Sequence, residues 1–213
     1  KILRLISTNI NSSKRYNNLV SIKTIVNKTH SLTRVKYDTE KLSNNMDKYI
    51  LLDKADGVRT LVVLNDDHIY IVNNKLTKFK LDVSNKLTIL DCEYISETKK
   101  SYVFDVLMCD GKSIPHLDTK SRMGYIDDIV KKNKDHLVSK KYFILTNDNY
   151  RKTIIDLTSS KNSNYETDGF ILTPIDSMYY KTISLKWKPS NQLTIDFLVK
   201  NVSSIISKEE IKD

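Results

Sequence analysis

From residue 49 onward the apolar positions fall into short blocks spaced for β-strands. "YILLDK" (49–54) and "TLVVL" (60–64) are rich in aliphatic residues, and "NDD" (65–67) leads into "HIYIV" (68–72). This pattern predicts strands joined by a hairpin turn at 65–67. "LTKFKLD" (76–82), "LTILDCEYI" (87–95) and "SYVFDVLMC" (101–109) extend the antiparallel series, and "DG" at 110–111 signals another turn. The period then changes: in 121–137 and 149–160 apolar residues recur every three or four positions, which predicts two helices. Strand patterns return at "DGFILTP" (168–174), "ISLKWKP" (183–189) and "LTIDFLV" (193–199). Strands, then helices, then strands imply an α+β fold of antiparallel β-sheets with flanking helices. Residues 1–48 are rich in Lys, Asn, Ser and Thr, with short apolar pieces such as "LVSIKTIV" (19–26), which reads as a short helix or strand. They are expected to form an N-terminal segment flanking a core that begins at Tyr49.

Composition narrows the class. With 213 residues, 39% hydrophobic and 29% charged, the chain can bury a substantial core in one or two domains. No apolar run is long enough to cross a bilayer, so a soluble protein without a membrane partner is expected. The chain opens on Lys1 with no signal-peptide pattern, as an excised piece of a longer protein would. Cys92 and Cys109 each sit in a strand-like block without ligand-spaced companions, which argues for core packing in a reducing compartment and against a zinc site. His30, His68, His116 and His136 are scattered and read as surface or packing residues. The formal charge of +9 suits either a lysine-rich surface or a negatively charged partner such as a nucleotide or RNA, and does not choose between them.

Charges that interrupt the predicted strands change the picture more. Lys54 ends one strand, Glu93 interrupts another, Asp168 opens a third, and Lys186 and Lys188 alternate so that they share a face. Singly, each suits an exposed strand face; together they suit a cleft between sheets. A lysine amine with an ordinary pKa near 10.4 is almost wholly protonated at pH 7. A nucleophilic lysine therefore needs burial or neighbouring positive charge. Arg59, Lys186, Lys188 and a bound metal would supply that charge, and the Glu93 and Asp168 carboxylates suit a hard divalent cation. Metal and lysines would neutralise a triphosphate while the amine attacks its α-phosphorus. The same inventory also suits a passive anion-binding groove. Gly57, one of only four glycines, follows Lys54 closely and would let backbone approach a nucleotide without a Cβ.

The order of these motifs resembles that of the covalent nucleotidyltransferases: the ATP-dependent DNA ligases, RNA ligases and mRNA capping guanylyltransferases. "KADGVR" (54–59) is similar to their Lys-x-Asp-Gly-x-Arg signature. "LDCEYI" (90–95) resembles the third motif, with Cys92 where glycine is common, and "YVFDVL" (102–107) the aromatic-Asp motif after it. "TDGFILTP" (167–174) and "LKWKP" (185–189) resemble the fourth and fifth. The resemblance covers roughly 49–197, and "LKWKP" followed by "TIDF" (194–197) favours the capping form over ligases. It implies a nucleotidyltransferase core of the ATP-grasp-like ligase and capping type over 49–192. Residues 193–213 would be the start of a truncated OB-fold domain, that domain being largely absent, or a last strand of the core. A sixth, basic motif is not found in the sequence.

The resemblance also implies roles. Lys54 would attack the α-phosphate of GTP to give lysyl-GMP, and a 5′-diphosphate RNA would then accept the GMP. Arg59 would bind ribose or phosphate, Glu93 and Asp168 would bind nucleotide and Mg2+ or Mn2+, and Lys186 and Lys188 would contact phosphates. Phe104 would stack on guanine, with Tyr102 as the alternative because period two puts both on one face. Asp56 and Asp91 would orient the loop and strand, and Trp187 would pack. The Lys/Asn/Ile-rich composition is similar to that of the trifunctional capping enzymes of large cytoplasmic DNA viruses. There this domain lies between triphosphatase and methyltransferase parts, which implies a cytoplasmic setting, a viral factory or virion. The alternatives are an ATP-dependent ligase adenylation domain, or a GTP- or RNA-binding module that needs an absent OB domain.

Overall fold

In a computed structural model of the chain, the residues described are 26, 28–39, 41–73, 76–159 and 164–190. The strand expected at 193–199 and most of the apolar piece at 19–26 lie outside them. Two sheets carry the fold. The first contains β1 (Lys28–Ser31), β2 (Tyr49–Ala55), β8 (Tyr142–Ile144), β9 (Thr167–Pro174) and β10 (Ile183–Trp187), in the order β1-β10-β9-β2-β8. The second runs β3 (Val58–Val72), β4 (Leu76–Ile95), β5 (Lys100–Cys109), β6 (Lys112–Ser113), with β7 (Leu137–Ser139) also on β5. Pairing is antiparallel except for β1 with β10 and β7 with β5.

Among the described residues four α-helices flank the sheets: α1 (Arg34–Thr39), α2 (Thr119–Met123), α3 (Ile126–Lys132) and α4 (Tyr150–Ser159). Alternation along β2 decides its burial: Ile50 and Leu52 join the cluster of Val62, Leu64, Leu90, Val103, Met123 and Ile126, while Leu51 faces Leu172, Leu185 and Tyr150. β3 divides the same way, with Val62 in that first cluster and Leu61 and Val63 in another with Ile89 and Leu107.

Two expectations are corrected. No hairpin turn occurs at 65–67: β3 runs on to Val72, which pairs with Leu76. The polar triplet is an irregularity within the strand, with register shifts on both sides of Asp66, whose φ is 51°. A bulge meets the same demand for positive φ as a turn, and bends the ribbon without reversing it. The helix expected over 121–137 is two short helices, and Leu137 already belongs to β7. Gly124 and Tyr125 separate them, and Asn133 caps the second.

Candidate active site

β2 brings Lys54 to a cavity of about 200 Å3 between the sheets. The first sheet contributes Leu52, Lys54, Ile171, Thr173, Ser184 and Lys186; the second contributes Arg59, Glu93, Phe104 and Asp105. Thr119 and Met123 of α2 and Lys140, between β7 and β8, complete much of the wall. Five residues expected from the sequence thus line one space: Lys54, Arg59, Glu93, Phe104 and Lys186. The remaining two, Asp168 and Lys188, join through Lys54. Its Nζ donates to Asp168 Oδ1 at 2.6 Å, and Lys188 Nζ binds Asp168 Oδ2.

A strand irregularity makes that bridge. β2 and β9 pair Asp53 with Phe170 and Ala55 with Thr167, so Asp168 and Gly169 together face Lys54. The extra residue turns the Asp168 carboxylate toward the lysine. Gly169 makes it possible: its φ is 139°, and a Cβ there would lie 1.9 Å from the Trp187 carbonyl oxygen. Gly57 also answers to packing. A Cβ on it would lie 2.6 Å from Ile95 Cδ1, 2.7 Å from Tyr94 O and 2.8 Å from Glu93 Cγ. The close approach is thus to the end of β4, a protein contact where the sequence had suggested a nucleotide.

A second irregularity separates Phe104 from Tyr102. Asp91 faces Asp105 and Cys92 faces Val103, which leaves Phe104 without a β4 partner. Period two fails across that step. Phe104 reaches the cavity, while Tyr102 packs with Ala55 and Ile95 and meets Tyr165 edge to face at 4.6 Å. Two cations approach Phe104, with Arg59 Cζ 5.4 Å and Lys140 Nζ 5.9 Å from its ring centre. Trp187 stacks on Phe170 at 5.0 Å. Cys92 is buried and Cys109 partly so.

Asp91 is fully buried and grips Arg59 with both oxygens, Nε to Oδ1 at 3.0 Å and Nη2 to Oδ2 at 2.6 Å. Burial works against the Arg59 charge, but the Asp91 carboxylate outweighs it and raises the guanidinium pKa further. At Asp168 burial works to raise the carboxyl pKa, yet hydrogen bonds from Lys188 and Lys54 prevail and lower it. The hydrogen bond to Asp168 raises the Lys188 ammonium in turn. Burial pushes Glu93 above the usual carboxylate range, with Lys140 and Arg59 only partly opposing it.

Among the described residues no group of three or more His, Cys, Asp or Glu side chains could cage a metal. Both Asp168 oxygens hold lysines, and Glu93 forms no ion pair among the described residues. That donor set fits a hard divalent cation held by one carboxylate together with phosphate oxygens, as Mg2+ commonly is.

Several residues of the site were not anticipated. Lys140 is nearly buried and pairs with Asp53 Oδ1 at 3.2 Å, while the Tyr165 hydroxyl donates to Asp53 Oδ2 at 2.7 Å. Nothing in "SKKYF" distinguishes Lys140 from Lys141. Asp105 and Arg122 form a buried two-pronged pair at 2.8 Å and 2.8 Å. The charge in the middle of "YVFDVL" was the available signal for Asp105.

Two facing sheets with a lysine-centred cavity define a nucleotidyltransferase fold. A solved structure of mycobacterial DNA ligase D, complexed with ATP and MES, shares it with a TM-score of 0.53 at 11% identity, over 77% of this chain and 60% of that one. The model of the family described as mRNA capping enzyme, catalytic domain, matches residues 28–190, and the chain belongs to that family of guanylyltransferase domains. The mRNA-capping enzyme of African swine fever virus is 30% identical over 172 residues, covering 76% of this chain and 20% of the viral protein. A protein of Acanthamoeba polyphaga mimivirus described as "Probable mRNA-capping enzyme" is 24% identical, covering 88% of this chain and 22% of its own length. The chain thus spans about a fifth of the length of these relatives.

Proposed function

We propose that the chain carries the guanylyltransferase step of mRNA capping, with Lys54 as the nucleophile. The observation that supports this most is the Lys54–Asp168–Lys188 bridge at a cavity that also gathers Arg59, Glu93, Phe104 and Lys186. A Lys54 ammonium bound to Asp168 has no lone pair, so the amine must first give up a proton. Its nitrogen then bonds the α-phosphorus of GTP and sheds a second proton to solvent, the bond from that phosphorus to the bridging oxygen breaks, and pyrophosphate leaves. A β-phosphate oxygen of 5′-diphosphate RNA next attacks the same phosphorus. The N–P bond breaks, the 5′–5′ linkage forms, and the nitrogen takes back two protons from solvent to restore the ammonium.

Arg59, fixed by Asp91, would hold ribose or phosphate, and Phe104 would stack on the base. Lys186 and Lys188 would bind phosphates. A triphosphate competing for Lys54 and Lys188 would release Asp168. Mg2+ or Mn2+ would sit on Glu93 and phosphate oxygens, joined by Asp168 once it is released, and would supply charge neutralisation. The parent polypeptide would carry triphosphatase and methyltransferase parts and act in the cytoplasm, in a viral factory or virion if viral.

The test is incubation with GTP or ATP labelled at the α-phosphate, with Mg2+ or Mn2+, followed by a denaturing gel. Covalent label from GTP and not ATP is expected. Label from ATP alone would make the chain a ligase-type adenylation domain.

A further inference from the structure

Arg59 and Asp91 do not form an isolated pair. Tyr179, fully buried, donates its hydroxyl to Asp91 Oδ2, the oxygen that Arg59 Nη2 also binds. Tyr179 belongs to neither strand of that pair. It lies in the connection between β9 and β10 of the first sheet, so its hydroxyl reaches across to β4 of the second. Its own place is fixed from two sides. Its backbone N–H donates to Pro115 O at 2.9 Å. The Arg122 guanidinium lies 5.6 Å from its ring centre and donates to Ser177 O, two residues earlier, at 2.9 Å. Arg122 is itself held by Asp105. A continuous chain of contacts thus runs from buried Asp105 and Arg122 through Ser177 O to buried Tyr179 and Asp91, and ends where half-buried Arg59 faces Phe104.

We infer that Tyr179 is a positioning residue for the nucleotide site, acting through Asp91 to fix the Arg59 guanidinium against Phe104. The inference rests on the proposed role of Arg59 as a nucleotide contact. An aspartate side chain can turn about two bonds, and two donors from different elements suppress that turning. Burial first, then the nearby Asp91 charge, holds the Tyr179 phenol well above its ordinary pKa, so it remains a donor throughout the working pH range. Without its hydroxyl, Asp91 Oδ2 loses one of two partners in a site sealed from water, and its grip on Arg59 loosens. Arg59 then enters the cavity less well placed, and ground-state nucleotide binding suffers before the chemical step does.

Tyr179→Phe removes only the oxygen and keeps the ring packed beneath Arg122. The decisive experiment is a double-mutant cycle with Arg59→Ala, read as the KM for GTP and the limiting rate of covalent labelling. Tyr179→Phe alone is expected to raise KM about tenfold with a much smaller change in the limiting rate. In the Arg59→Ala background the same change should alter KM by less than about twofold. A full effect persisting in that background, or no effect in either, would overturn the inference.

A measurement independent of turnover accompanies it: hydrogen exchange of the Arg59 Nε–H, followed by NMR in nucleotide-free protein. Exchange about tenfold faster in Tyr179→Phe is expected from weaker anchoring, and an unchanged rate overturns the inference. A wild-type protein that takes no label from GTP would count against guanylyl transfer, and the exchange rates would still decide the role of Tyr179.

Discussion

At Gly169 the site depends on a missing atom. With φ at 139° and the Trp187 carbonyl oxygen 1.9 Å from where a Cβ would stand, alanine forces β9 and β10 apart beside Asp168. Gly169→Ala should cost about 3 kcal/mol or more in urea unfolding, and weaken covalent labelling beyond the loss of stability. Glu93 and Asp168 should respond to pH in opposite senses. Asp168 has a lowered folded-state pKa, so its contribution is complete above the ordinary carboxylate range and is lost as pH falls through the lowered value. Glu93 has a raised one. Its protonated form is favoured in the fold, so stability declines as pH rises from about 4.3 through the raised value. Glu93→Gln should therefore raise the melting temperature at pH 7 and flatten that decline, while labelling in Mg2+ falls. A lower melting temperature at pH 7 would mean that Glu93 is structurally paired. The sequence made both carboxylates visible because each breaks a strand pattern. Lys140 was invisible because its burial comes from Asp53 and Phe104, more than thirty residues upstream, and not from its neighbours.

Among the elements, three irregularities matter more than the regular ladder. The step that leaves Phe104 unpaired aims its ring into the cavity, and the step that sets Asp168 and Gly169 opposite Lys54 aims the Asp168 carboxylate at Lys54. The third, at Asp66, bends the long β3–β4 ribbon, where Asn65 Nδ2 donates to the Asp66 side chain at 2.8 Å. Aspartate tolerates its φ of 51°, but a β-branched residue does not. Asp66→Val should cost about 1–2 kcal/mol, while Asp66→Gly should be close to neutral in the same denaturation assay. Equal costs for the two would show that the Asp66 side chain, not its backbone, holds the bend. Strands bearing long apolar blocks, such as β2, β5 and β9, were legible in the sequence. β7 and β8 are three residues each, too short to show a period, and gain their pairing from β5 and β2. β1 was likewise unreadable, since its parallel register with β10 spans more than 150 residues.

The whole molecule works as two sheets that hold one charged seam between them. Lys54 and Lys186 come from the first sheet, Lys188 directly follows its strand β10, and Arg59, Glu93 and Phe104 come from the second, so neither sheet alone has a site. Arg122, held by Asp105 and donating to Ser177 O, and Tyr179, donating to Asp91, tie the connection between β9 and β10 of the first sheet to the second. A formal charge of +9 adds long-range attraction for polyanions, an effect that salt should weaken. The α+β class and the cleft followed from strand pattern and interrupting charges. The tie between sheets did not, because its members are single residues on separate elements. The most direct test of the central claim is to locate the covalent link. After incubation with GTP and Mg2+, the protein would be digested and its peptides mapped by mass spectrometry under conditions that preserve a phosphoramidate. GMP on the peptide carrying Lys54, and no adduct anywhere in Lys54→Ala, is the predicted result. GMP on another lysine, or an adduct that persists in Lys54→Ala, would contradict it.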